Sequence, residues 1–263
     1  MSNFVEVTLQ NAAYGGDMIG RLPDGRAVFV PFGIPGETVR VAIVQDKKKF
    51  ARGEIIEVLE PSPFRITAPC AHFTDCGGCH YQHISYDQQL QIKRTILQEQ
   101  LERIGRLDSP PVAQVLPSPS QLYYRNHVKF HMSPQGKPGF VRANKKGVLQ
   151  VAECRLPETP LAEIWPLFEI EPGSGISSLG LRLGIEDDIL VVLESQHPFG
   201  AQFDIESIPI SVVHISPGNS IVLAGSDYTI MQLKEKQFRV SGQSFFQVNK
   251  SRLLVNTAFI ISG

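Results

Sequence analysis

The sequence predicts a mainly β protein with some α: an N-terminal five-stranded barrel of the OB type, then a β-rich α+β central domain, with a Rossmann-like catalytic domain absent. Three observations carry this reading. Short β-rich runs alternate with turn signals at regular spacing up to residue 60, and one clear amphipathic helix follows. Nowhere does a strand run into a Gly-rich turn and a helix, the arrangement that a nucleotide-binding sheet requires.

The barrel is read from Phe4–Leu9, Ala27–Pro31, Thr38–Gln45 and Gly53–Leu59, separated by Tyr14-Gly15-Gly16-Asp17, Pro23-Asp24-Gly25, Gly33-Ile34-Pro35-Gly36 and Asp46-Lys47-Lys48-Lys49. Gly15, Gly16 and Gly20 lack the Gly-Lys-Ser/Thr ending of a phosphate loop, so they read as strand-turn glycines. Ser85 and Gln88 form a capping-box pair ahead of Leu90, Ile96, Leu97, Leu101 and Ile104 at helical spacing, and Gly105 ends the helix. Pro110, Pro111, Pro117 and Pro119 mark a connector. Hairpins are expected around Pro134–Lys137 and Glu186-Asp187, a short helix near Leu161–Phe168, and further strands between Ser211 and Ser241. The resulting divisions are 1–60 for the barrel, 61–84 for a cysteine loop, 85–106 for the helix, 107–243 for the central domain and 244–263 for a final segment.

The most informative residues are Cys70, Cys76, Cys79 and Cys154. Three thiols on one tight loop, with Gly77 and Gly78 letting the backbone fold closely around an inorganic core, plus one remote thiol, fit a four-cysteine iron-sulfur site. Structural zinc is the alternative, because His72, His80 and His83 crowd the same loop. The chain opens Met-Ser-Asn-Phe-Val-Glu with no apolar signal segment, so a reducing, cytoplasmic setting is expected and disulfides are disfavoured.

At 263 residues, 42% hydrophobic and 19% charged, without an apolar run of membrane-spanning length, the chain can bury a sizeable core and is expected to be soluble. Its net charge of −1 conceals a strong polarity. From Gln121 to Arg155 seven Lys or Arg face one acid, with Tyr123, Tyr124, Phe130 and Phe140 interleaved; from Leu156 to Ile210 one base, Arg182, faces ten acids. Cations for phosphates and rings for splayed bases suit single-stranded RNA, and Arg125, Lys129, Arg142, Lys145 and Lys146 are the candidate contacts. A solvated hairpin face with its aromatics in the core explains the same stretch equally well.

These residues carry a family resemblance. Gly15–Pro31 looks like part of a TRAM domain, and the cysteine loop resembles the iron-sulfur motif of the RNA (uracil-5-)-methyltransferases. Tyr124-Arg125-Asn126-His127 is similar to that family's Tyr-Arg-Asn-Lys segment, departing at His127, and Ser244-Phe245-Phe246-Gln247-Val248-Asn249 matches the stretch entering its methyltransferase domain. TRAM and cluster together make the chain more similar to the 23S ribosomal RNA enzymes.

The resemblance implies ribosomal RNA as partner, a 4Fe-4S cluster on the four cysteines, and S-adenosylmethionine in the full-length enzyme, contacted by Gln247. In the family a thiolate adds to the uracil ring, S-adenosylmethionine gives up its methyl, and a base removes the ring proton. Here every cysteine is assigned to the cluster, so no catalytic residue is predicted. The chain is accordingly expected to be the N-terminal and central part of such an enzyme, inactive alone. The alternative is a stand-alone RNA-binding module with a structural iron-sulfur or zinc site. In the family the helix packs on the catalytic domain, so the stripe over 85–104 is expected to be exposed or to mediate self-association.

Overall fold

The protein is described by a computed structural model covering residues 4–198 and 210–251. It divides into two compact units, one holding the chain up to Thr74 and residues 78–117, the other Asp75–Gly77 and the chain from Ser118.

The first unit is a closed barrel. Strands β1 (Phe4–Ala12), β2 (Met18–Arg21), β3 (Ala27–Val30), β4 (Thr38–Asp46) and β5 (Phe50–Glu60) pair in the order β1-β2-β3-β5-β4, with β4 returning to β1 and a parallel pairing of β3 with β5. Alternation fixes which residues point inward: Val7, Leu9, Val28, Val30, Val39, Val41 and Ala51 are buried while their neighbours face out. The walls come close. A Cβ on Gly20 would sit 2.1 Å from Val7, and one on Gly53 2.1 Å from Val41. The strand Met18–Arg21, which the sequence reading did not single out, completes the five.

A buried carboxylate ties the barrel to the segment after β5. Glu37 is fully buried. Its oxygens accept the backbone N–H of Ile34 and of Ser62, and both forks of Arg65 at 2.6 Å. Arg65 also donates to the Phe32 carbonyl. The base of the cysteine loop is fixed beside it: Ile66 N–H donates to the His83 carbonyl, and the His83 ring meets the Gly33 carbonyl at 3.0 Å.

Helix α1 (Tyr86–Arg103) then lays Ile92 and Ile96 on the barrel core, leaving Leu97 and Ile104 exposed. The expected capping box does not form. Ser85 makes no side-chain cap bond; Gln89 instead donates to the Ile84 carbonyl.

The second unit is built on a seven-stranded sheet, ordered β12-β11-β10-β9-β6-β7-β8, from β6 (His127–Met132), β7 (Pro138–Val141), β8 (Val148–Gln150), β9 (Ile176–Leu183), β10 (Ile189–Ser195), β11 (Ile210–Ser216) and β12 (Asn219–Ala224). Only β10 and β11 run parallel. On one face Val128, Phe130, Leu179, Leu181, Val191 and Leu193 pack with α2 (Thr159–Ile164) and Trp165, whose ring lies 4.8 Å from that of Phe130. On the other, Leu190, Val192, Val213 and Ile215 form a smaller cluster. Strand β10 is thus buried on both faces, which explains its unbroken run Ile189-Leu190-Val191-Val192-Leu193. A separate hairpin, β13 (Tyr228–Leu233) and β14 (Lys236–Ser241), follows.

Removing one partner of a buried ion pair leaves the other charge and the N–H donors unanswered. Glu37→Ala is therefore expected to lower unfolding free energy by about 3 kcal/mol, read as a fall in the urea midpoint. An unchanged midpoint would contradict the role given to this carboxylate.

Candidate functional site

The predicted RNA contacts do not form one free basic surface. Lys129, on β6, pairs with Glu194 of β10 at 2.6 Å, and the same carboxylate accepts the Ser178 hydroxyl. Arg142 pairs with Asp75 at 2.6 Å. Lys145 and Lys146 sit exposed on the turn that links β7 and β8, with Lys145 at φ 62° and Gly147 closing the turn onto Arg142. Arg125 lies beside the Tyr124 ring at 5.9 Å. Two of the five candidates are thus paired with carboxylates at the surface, and two are held out to solvent without such a pair among the described residues.

The stretch Asp75–Gly77 is built into the second unit along the same turn. Ala143 N–H donates to the Asp75 carbonyl, Gly77 N–H to that of Val141, and Cys76 bridges to Arg142. Gly77 is required here, because a Cβ would stand 2.8 Å from the Val141 oxygen. In the first unit, Gln82 donates to the Cys79 sulfur at 3.1 Å. Among the described residues no group of three or more His, Cys, Asp or Glu side chains is gathered to hold a metal ion.

Beyond β14 the chain forms a strap, Ser244–Lys250, held mainly by its backbone. Arg182 donates to the Ser244 carbonyl at 2.8 Å, Asn126 N–H to that of Val248, and the Asn126 amide to that of Gln247. Arg125 bridges to Asn249, Asn249 donates to Ser118, and Lys250 meets Glu158 at 3.3 Å. Because the carbonyls are what is held, the Gln247 side chain stays exposed, as does Phe245 at 87%. A ligand can be met by the carboxamide without unpicking the strap. Sequence reasoning missed Asn126 and Arg182 as its clamps. The signal for Arg182 was present: it is the one base in an acid-rich stretch, set between apolar residues in Leu179-Gly180-Leu181-Arg182-Leu183.

Around this strap the charge is positive and poorly hydrated. His127 faces Arg182 across the β6–β9 pairing. Burial, and then the charges of Arg182, Lys129 and Arg125, hold its pKa down to about 4. It is neutral at pH 7. A cavity of about 370 Å³ nearby is lined by Leu183, Met231, Lys250, Glu158, Glu186 and Asp187 among others. Its acidic rim would repel phosphates, so it is the wrong place for an RNA backbone.

Known proteins share both the barrel and the sheet that carries this strap. Residues 4–56 match the TRAM domain. The chain is 32% identical over 259 residues to an uncharacterized RNA methyltransferase of Aquifex aeolicus, covering 93% of this chain and 60% of that protein. It is 28% identical over 295 residues to another from Gloeobacter violaceus, covering 98% and 64%. It therefore spans about 60–64% of the length of these curated relatives. The crystal structure of Pyrococcus abyssi tRNA (uracil-54, C5)-methyltransferase with S-adenosyl-L-homocysteine superposes with a TM-score of 0.67 at 19% identity, over 97% of this chain and 64% of that one. At that identity the likeness shows the fold alone.

These findings correct three expectations. The chain was expected to lack a Rossmann-like catalytic domain, to act only as an RNA-binding and iron-sulfur front portion or a stand-alone module, and to be inactive for want of a catalytic cysteine and a cofactor domain. Similarity to methyltransferases instead runs through 93–98% of the chain, so no separable binding module is marked off from methyltransferase sequence.

His127 gives a test of the site's electrostatics. The unfolded chain takes up a proton near the ordinary value of 6.5, the folded one only near 4. Stability present above pH 6.5 is thus lost as pH falls towards 4, by up to about 3 kcal/mol. Urea midpoints measured from pH 7.5 to 4.5 are expected to fall less steeply for His127→Gln than for the parent; equal slopes would rule this out.

Proposed function

We propose that this chain is RNA methyltransferase sequence whose enzyme uses S-adenosylmethionine to methylate C5 of a uridine. The observation that carries the reading is the similarity to RNA methyltransferases across nearly all of the chain, joined to a TRAM domain at its start. The choice of C5 of uracil rests on the fold likeness to the Pyrococcus enzyme and on the strings Tyr124–Asn126 and Ser244–Asn249. S-adenosylmethionine supplies an electrophilic methyl group when bound.

The chain's own residues prepare the encounter. Asn126 and Arg182 fix the strap, and the exposed Gln247 is our candidate for cofactor contact. Lys145, Lys146 and Arg125 are the cations proposed to meet RNA phosphates, with Lys129 and Arg142 shaping that surface through their ion pairs. Ribosomal RNA is the proposed substrate and the cytoplasm the proposed setting, on sequence resemblance alone. No described helix is long and apolar enough to cross a membrane. Self-association through the exposed Leu97 and Ile104 of α1 belongs to the same proposal.

Cysteine spacing supports a 4Fe-4S cluster on Cys70, Cys76, Cys79 and Cys154, with zinc as the alternative. Anaerobic purification with metal analysis separates them: about four irons per chain and a brown colour fit the cluster, whereas a colourless zinc protein fits the alternative.

Incubation with S-adenosylmethionine tritiated at the methyl group, and with unmodified ribosomal or transfer RNA, is expected to yield 5-methyluridine on nucleoside analysis. Label absent from uridine in both RNAs would overturn the proposal.

A further inference from the structure

Among the described residues of the second unit, one buried arginine has no anion beside it. Arg182 is 3% exposed, and one of its guanidinium nitrogens donates to the Ser244 carbonyl while Nη1 has no partner. Burial alone pulls its pKa below the ordinary 12.5, with no acid acting to raise it. Nearby, Arg125 Nε is likewise buried and unpartnered. Both arginines act on His127, as does Lys129, but Lys129 is answered by Glu194. Among the described residues neither arginine has an ion pair. Arginine is almost never buried unpaired, because desolvating its charge is costly unless an acceptor replaces the lost water. The free Nη1 of Arg182 lies beside the strap through the bond to Ser244, and the Arg125 backbone bridges to Asn249.

We infer that Arg182, assisted by Arg125, forms an oxyanion-binding site under the Ser244–Asn249 strap, filled by either an RNA phosphodiester or the carboxylate of the amino-acid end of the cofactor. The guanidinium fork matches either group in two-point geometry. Neutral His127 beside it adds no competing charge and leaves the site to the two arginines. A protein in this state is strained when empty and relaxed when loaded, so the anion is expected to stabilise the fold. Its two sources rest on the methyltransferase reading; the anion site itself does not.

The test compares thermal unfolding in phosphate and in chloride at matched ionic strength and pH. Phosphate is expected to raise the melting temperature of the parent. Arg182→Met removes the charge and with it the bond to the Ser244 carbonyl, so it should melt somewhat lower than the parent in chloride and lose the phosphate response. Arg125→Gln, at a less buried position, guards against misfolding and should weaken the response about tenfold, the worth of one charge-assisted hydrogen bond. A parent indifferent to phosphate, or an Arg182→Met protein that still responds, would overturn the inference.

Two further arms name the source. If it is RNA, Arg182→Met lowers affinity for a uridine-containing stem-loop about tenfold and reduces the salt slope by about one. If it is the cofactor, the same variant weakens S-adenosylhomocysteine about tenfold while RNA affinity holds. A parent that responds to phosphate but binds neither ligand would count against the methyltransferase reading and leave the anion site standing.

Discussion

The fold of the first unit turns on one buried carboxylate. Glu37 sits where the barrel closes, and by accepting from Ile34, Ser62 and Arg65 it answers donors from both sides of the β4–β5 excursion. A charge of this kind is tolerable in an apolar core only when each lone pair is used. That requirement fixes the chain leaving β5 relative to the chain entering β4. His83 then meets Gly33 and Ile66 meets His83, so the loop of cysteines starts and ends against the same turn. Phe73 stacks on His83 at 5.2 Å, which carries the constraint into the loop itself.

The second unit solves a different problem. A wide sheet with one fully packed face must dispose of the other, and here it is divided: Leu190, Val192, Val213 and Ile215 supply an apolar part, while Arg182 and Lys129, with neutral His127 between them, supply a polar one. Gly242 lies against the apolar part, where an added Cβ would reach 2.9 Å from Val192. The strap beyond it is pinned through carbonyl oxygens. Side-chain identity is thus free to serve recognition while backbone geometry is set by Asn126 and Arg182, a division of labour suited to a segment that presents Phe245 and Gln247 outward.

How much of this could be read from the sequence depended on whether the signal was local. Turn glycines and alternating β-branched runs marked the barrel because a strand's period is written in adjacent residues. The β10 run and the hairpin around Glu186-Asp187 were legible for the same reason, although both turn residues adopt left-handed φ, 53° and 56°, where glycine or asparagine would be expected. Ion pairing was not legible. Lys129 and Glu194 are far apart in the chain, as are Arg142 and Asp75, and a tally of local charge cannot see that Lys129, Arg142 and Glu194 have partners. The capping box failed because the Ser85 N–H that Gln88 would have accepted is already given to the Phe64 carbonyl, a contact distant in the chain. The cysteine pattern told of a shared chemistry but not of placement, since Asp75–Gly77 is held by the β7–β8 turn through backbone bonds that no spacing rule encodes.

The tightness of the barrel leaves no room within it for a ligand. With Val7 and Val41 filling the space that side chains at Gly20 and Gly53 would need, and with Val28, Val39 and Ala51 wholly enclosed, its interior is solid. A nucleotide cannot be swallowed, only touched. Under the RNA reading proposed above, contact falls to exposed groups on the outer rim such as Tyr14 and Lys47–Lys49. The scaffold is in that sense a rigid handle.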